Sequence, residues 1–200
     1  MENEIFLATR NQGKISEIKN ILKDTVRVRS IYEIIDEHIV AIEDGNTLEE
    51  NAIIKALAFS KLLKGLIVAD DSGLFVDILN GRPGIFSSRY AGEMATDREN
   101  IDKLLGELEG IPFDKRQAAF KCVIAVAIEG KLLATFTGDV RGFIGEERRG
   151  NNGFGYDPVF YLEKQKSFAE IDERQKNQIS HRAIAIEKLK HFLKEYEFDK

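Results

Sequence analysis

Two hundred residues, 43% hydrophobic and 32% charged, are enough for one core of ordinary size and describe a soluble globular chain. A net charge of −5 argues against a general nucleic-acid binder, which carries a basic excess, but leaves room for a locally positive pocket. With no signal-peptide core and no run long enough to span a bilayer, the cytoplasm is the expected compartment and a membrane partner is not expected.

In chain order, "EIFLAT" (4–9) reads as a short buried strand. "NQGKISEIKNILKD" (11–24) follows with Ile15, Ile18, Ile21 and Leu22 at helical spacing. "VRVRS" (26–30) alternates as a second strand, and 36–46 is an acidic loop. Thr47 with Glu50 is a capping-box pattern for a helix that should run to Gly65. "LIVADD" (66–71) is a strand, with a second expected from Leu74 to Ile78, and 80–97 a long irregular loop. A helix is expected over 96–110, then a long hairpin over 116–144 turning at Glu129–Gly130. That hairpin holds the one cysteine, Cys122, in the run "AAFKCVIAVAI", where it reads as a small buried hydrophobe. A glycine-rich loop leads into a short strand from Pro158, and residues 172–196 close the chain as one amphipathic helix. Interleaved strands and helices with one antiparallel hairpin predict an α/β fold with a mixed twisted sheet flanked by helices, and no linker divides the single domain spanning 1–200.

Four stretches carry chemistry. In "LATRNQGKISEI", a Gly-Lys pair sits where a strand hands over to a helix, whose first turn attracts phosphate. Ala8 and Ile15 exclude a Walker motif, but Thr9, Asn11, Gln12 and Lys14 can still donate to an anion. In "LIVADDSGLFVD", Asp70 and Asp71 point to opposite faces of a strand. Buried carboxylates need a partner or a metal. Either aspartate, joined by an acid of the loop "AIEDG" (41–45), would suit Mg²⁺, which takes few carboxylates together with waters and phosphates. The spacing excludes a haloacid-dehalogenase-type phosphatase, whose aspartates are separated by one residue. "GNNGFGYDP" (150–158) offers close backbone approach and two rings, Phe154 and Tyr156, to stack on a base. "KNQISHRA" (176–183) clusters Lys176, Ser180, His181 and Arg182 at the start of the last helix, with Ser180 as a cap. His38 and His191 lack such company and read as surface residues.

Taken together, "LATRNQGK", "ENAIIKA", "ADDSGL", "GRPGIFSSRYAGE", "GFGYDPVF" and "ISHRA", in this order and spacing, resemble the inosine/xanthosine triphosphate pyrophosphatase family over residues 5–190. The resemblance implies two lobes around a central substrate cleft, a homodimer, and Mg²⁺-dependent hydrolysis of ITP, dITP and XTP to the monophosphate plus pyrophosphate. Such an enzyme cleanses the nucleotide pool and keeps these nucleotides out of DNA and RNA. By position, Thr9, Arg10, Asn11, Gln12, Gly13 and Lys14 would hold the triphosphate. Glu43 (or its neighbour Asp44) and Asp71 would bind the metal. Asp71 would be the catalytic base and Asp70 its helper. Ser72 would contact substrate, Phe154, Gly155, Tyr156 and Asp157 would surround the base, and Lys176, His181 and Arg182 would contact base and phosphate. A sister pyrophosphatase for pyrimidine or methylated nucleotides would open with a Ser-Pro-Arg-Arg type segment, which "TRNQGK" does not match.

Overall fold

Residues 3–36, 38–162 and 166–198 are described by a computed structural model. Strand β1 (Glu4–Leu7) runs into helix α1 (Gln12–Leu22) through Asn11, whose side-chain oxygen accepts the Lys14 N–H at 3.0 Å. An Asn in this position satisfies one of the donors that a helix start leaves open. β2 (Arg27–Ser30) follows, and α2 (Leu48–Ser60) starts on Thr47, whose hydroxyl accepts the Glu50 N–H. The return half of the expected capping box is displaced by one residue: the Glu50 carboxylate accepts the Asn46 N–H. α2 ends at Ser60, five positions before the expected glycine stop at Gly65.

β3 (Leu66–Val76) is one continuous strand. The twin aspartates were expected to end one strand before another began at Leu74. Instead the strand runs straight through Asp70, Asp71, Ser72 and Gly73, and Leu74 and Phe75 pair with β4 (Pro83–Gly84), inside the segment expected to be irregular. α3 (Asp97–Glu107) begins with a complete Thr96–Glu99 capping box. β5 (Gln117–Ile128) and β6 (Lys131–Ile144) form the expected hairpin. Its two turn residues, Glu129 and Gly130, both have positive φ, as the twist-matched two-residue turn requires. β7 (Phe160–Tyr161) pairs antiparallel with β6. The sheet order is β2-β1-β3-β5-β6-β7 with β4 beside β3; β1 is parallel to both β2 and β3. The fold is therefore α/β with a mixed sheet.

The single terminal helix expected over 172–196 is two helices, α4 (Glu173–Ile179) and α5 (His181–Glu195). Ser180 separates them with extended backbone, φ −72° and ψ 157°, a conformation a helix cannot pass through.

The chain divides into two compact units, neither of them a continuous segment. The first unit comprises 1–71, 122–138 and 182–200. Its core packs Ile5, Leu7, Ile18, Leu22 and Val68 with Ile124, Val126, Ile186 and Leu189. Cys122 lies in it, as expected of a small hydrophobe. The second unit comprises 72–121 and 139–181, around Leu74, Val76, Leu104, Phe120, Phe160 and Phe168. Truncating a leucine in either core costs about 2–5 kcal/mol. Among the described residues no helix is long and apolar enough to cross a membrane.

Candidate active site

Asp70 and Asp71 lie at the point where β3 leaves the first unit. Alternation along the strand buries Asp70 fully and leaves Asp71 partly open. Three cations of the first unit converge on Asp70. The Lys14 ammonium, from the first turns of α1, lies 3.0 Å from Oδ2. Arg182 Nε, from the first turn of α5, lies 3.3 Å from the same oxygen. Lys55, from α2, donates to the Asp70 backbone carbonyl at 3.1 Å. Burial by itself would raise the Asp70 pKa, but Lys14, Arg182 and Lys55 overcome it and hold the group well below the ordinary carboxylate range.

Asp71 is driven the other way. Burial is the largest cause and Glu43 and Asp70 add to it, against Lys14 and Lys55; the group is pushed up to about 6. Glu43 pairs with Lys55 at 2.8 Å, and its loop is fixed by Asn51, whose Oδ1 accepts the Gly45 N–H at 2.9 Å. Burial would lower the Lys55 pKa, yet Glu43 and Asp70 more than compensate, and it is raised. Sequence reasoning missed Lys55, although "ENAIIKA" shows a lysine inside an otherwise apolar helix stretch.

Arg182 is 2% exposed. Besides Asp70, its guanidinium pairs with Glu17 through Nη1, and Glu17 is itself 5% exposed in the middle of α1. Glu17 too was missed: among Ile15, Ile18 and Leu22 it looks like a surface residue, and only its i+3 relation to Lys14 marks its face.

The rest of the phosphate-type segment is looser. Thr9 Oγ1 accepts the Asn11 N–H at 3.2 Å, and Gln12 Nε2 donates to the Arg10 carbonyl. Arg10 stacks over the Tyr32 ring at 4.5 Å and donates to the Ile39 carbonyl. Gly13 lies within α1, beside Lys14.

In the second unit, Lys176 and Asp157 form a buried ion pair at 2.5 Å. Asp157 Oδ2 also accepts the Phe154 N–H at 2.9 Å, and the Lys176 ammonium lies 4.7 Å from the Phe154 ring centre. Gly153 has φ +76°, and a side chain there would collide with Asp157 Oδ2 at 2.0 Å, so glycine is required for this loop to close on its carboxylate. The Gly155 N–H donates to Asp97 at 2.7 Å. Phe154 is partly exposed, whereas Tyr156 is 4% exposed and donates its hydroxyl to the Ser87 carbonyl at 2.8 Å. Of the two rings singled out for stacking, Phe154 is partly exposed with Lys176 over it, and Tyr156 is a core strut. Ser72 begins this unit, half-buried. His181 is buried and stacks on Phe120, ring centres 4.7 Å apart. The "KNQISHRA" cluster is thus divided: Lys176 and His181 belong to the second unit, Arg182 to the first. His38 and His191 are exposed, as expected.

Among the described residues no group of three or more His, Cys, Asp or Glu gathers closely enough to hold a metal ion. Two electrostatically coupled carboxylates, Asp71 and Glu43, are present instead. That set fits a hard cation completing its shell with water and phosphate oxygens, the habit of Mg²⁺.

Known proteins are similar to this chain along nearly its whole length. The Ham1 family model matches residues 5–192. A protein of Bacillus cereus named dITP/XTP pyrophosphatase is 48% identical over 198 residues, covering 96% of each chain. Its namesake in Geobacillus kaustophilus is 51% identical, covering 93% of this chain and 92% of its own. Among solved structures, the Staphylococcus aureus Ham1 protein superimposes with a TM-score of 0.85 at 45% identity, over 98% of this chain and all of its own. A HAM1 protein from Coxiella burnetii gives 0.86 at 43% identity, over 97% of this chain and all of its own.

Proposed function

The chain belongs to the Ham1 family, and from that membership we propose that it is a nucleoside-triphosphate pyrophosphatase acting on the nonstandard purine nucleotides dITP, ITP and XTP. Hydrolysis at the α–β phosphoanhydride gives the monophosphate and pyrophosphate. The observation that carries this reading is the alternation of buried carboxylates and cations around Asp70 and Asp71.

Asp71 is the base: with its pKa near 6 it is ionised at neutral pH yet basic enough to take a proton from the attacking water. The water oxygen bonds to the α-phosphorus as the bond to the bridging oxygen breaks, and pyrophosphate departs. Lys14 and the N–H groups opening α1 stabilise charge on the triphosphate, with Thr9, Arg10, Asn11, Gln12 and Gly13 shaping that segment. Lys55 keeps Glu43 and the Asp70 carbonyl in place. Glu43 and Asp71 would hold Mg²⁺, which when bound supplies charge neutralisation on the phosphates. Phe154 offers its face to the purine. Gly155, Asp157, Lys176 and His181 form its polar surround, where a donor suits the 6-oxo group and is unmatched by a 6-amino group. Ser72 contacts the substrate. The Arg182 side chain is assigned to holding Asp70.

A single domain over the full length, assembled as a homodimer in the cytoplasm without nucleic-acid or membrane partners, completes the reading. It is tested by pyrophosphate release from ITP, XTP, dITP, ATP, GTP, dTTP and UTP, with Mg²⁺ and with EDTA. Metal-dependent cleavage of ITP and XTP in preference to GTP is expected; preference for dTTP or UTP overturns it.

A further inference from the structure

Glu17 is a buried carboxylate in the middle of α1, on the face that carries Ile15 and Ile18 into the core. A charge in such a place is costly to the fold unless it is paired. Glu17 stands three residues after Lys14, so one turn of the helix presents a cation and an anion side by side. Lys14 reaches Asp70 Oδ2 at 3.0 Å, and Arg182 Nε comes to the same oxygen at 3.3 Å. Arg182 Nη1 pairs with Glu17. Four charges thus alternate in sign, Lys14, Asp70, Arg182, Glu17, and the ring closes through the backbone of α1.

From this closed ring we infer that Glu17 is a positioning residue for the triphosphate site: by restraining Arg182 it keeps Asp70 shared between two cations, and so holds the Lys14 ammonium where a bound triphosphate meets it. The inference rests on the reading that Lys14 receives the triphosphate. A guanidinium takes a carboxylate most strongly as a two-pronged fork. With Nη1 held by Glu17, Arg182 presents Nε to Asp70, and Oδ2 stays open to Lys14. Without the Glu17 charge the guanidinium is free to turn its fork on Asp70 and displace Lys14. Simple charge counting predicts the opposite effect: removing a carboxylate makes the site more positive and should tighten a polyanion. The two accounts therefore differ in sign.

The experiment is calorimetric titration of tripolyphosphate into the wild type, Glu17→Gln, Lys14→Met and the double variant, with KM and kcat for ITP measured in parallel. Glu17→Gln should weaken tripolyphosphate binding about tenfold, with KM for ITP moving more than kcat. In the Lys14→Met background it should add nothing, because the effect travels through Lys14. Unchanged or tighter binding in Glu17→Gln, or losses that add in the double variant, overturn the inference. Should Glu17→Gln fail to fold, Glu17→Asp keeps the charge and shortens the reach. A smaller loss that again vanishes with Lys14→Met supports the inference; no loss, or an additive one, overturns it. Because tripolyphosphate binding needs no turnover, a wild type that binds it but leaves ITP intact overturns the enzymatic reading and leaves this test in force. A wild type that does not bind it overturns both.

Discussion

Asp70 and Asp71 are consecutive residues of one strand, yet the fold drives them in opposite directions as acids: Asp70 is held well below the ordinary carboxylate range and Asp71 is pushed up to about 6. The pleat of β3 is the cause. It turns Asp70 into a pocket of three cations and Asp71 toward Glu43, where burial outweighs what Lys14 and Lys55 contribute. On the proposed mechanism the two adjacent carboxylates take different tasks, one as a fixed anionic anchor and the other as a proton acceptor.

Replacing Asp71 with Asn removes the proton acceptor and keeps the shape. Turnover of ITP should fall by about 10²–10⁴-fold, the usual share of a general base. The same substitution should stabilise the protein at alkaline pH. A carboxyl whose pKa is higher folded than unfolded disfavours the folded state as pH rises from about 4 to about 6, and the cost stays constant above that. Asp71→Asn should therefore raise the unfolding free energy at pH 8 by on the order of 2 kcal/mol after allowing for partial exposure, read as a higher urea midpoint, and lose the advantage at pH 4. Equal midpoints at both pH values would remove burial as the cause.

The rate should carry the same signature. kcat/KM reports groups of the free enzyme, so it should decline tenfold per pH unit below about 6. Raising the Mg²⁺ concentration should move this limb to lower pH, since a bound cation favours the ionised carboxylate. A limb that stays fixed across a hundredfold range of Mg²⁺ would separate Asp71 from the metal.

Asp70→Asn should behave in the opposite sense. It leaves Arg182 and Lys14 facing a neutral amide, and removing one member of a buried pair costs about 3–5 kcal/mol. Because the Asp70 pKa is depressed, its contribution is fully present above about pH 4 and fades as the solution is made more acid. Denaturation curves at pH 7 and pH 3 should show the wild type losing much of its lead over the variant; a constant lead would mean that packing, not charge, is at stake.

The two rings of the "GFGYDP" loop should separate cleanly. Phe154→Ala should raise KM for ITP by about 1–3 kcal/mol of lost stacking while leaving the melting temperature nearly unchanged. Tyr156→Phe loses the hydroxyl bond to the Ser87 carbonyl and should cost about 1 kcal/mol of stability with KM intact. Exchange of these two phenotypes would reverse the roles given to the rings.

Local signals carried most of this fold. Thr47, Thr96 and Asn11 cap helices where their side chains say they should, and Glu129–Gly130 turns the hairpin. The failures are non-local. Nothing near Asp71 announces that β4 will pair with Leu74 and Phe75 and carry the strand through the acidic step. The cap reading of Ser180 already implies extended backbone there, but the apolar pattern of 172–196 runs across it and does not show that Glu173–Ile179 forms a helix of its own. The site divides in the same way. The twin aspartates stand out because charge follows an apolar run and Lys14 because a Gly-Lys pair opens a helix, whereas Lys55 acquires meaning only through Asp70, 15 residues on, and Glu17 through Arg182, 165 residues on. Tyr156 looked equivalent to Phe154 because its hydroxyl acceptor, Ser87, is 69 residues away.

The first unit takes its members from both extremes of the chain, and this gives the protein a timetable. During synthesis Asp70 and Lys14 emerge early, but Arg182 follows 112 residues after Asp70, together with Ala185, Ile186, Leu189 and Leu193, which finish the same core. Until those residues leave the ribosome, the nascent chain carries the acidic step without its arginine and the first core without one of its walls. Productive folding of that unit therefore waits for the residues around Arg182, although the rest of its core is made earlier.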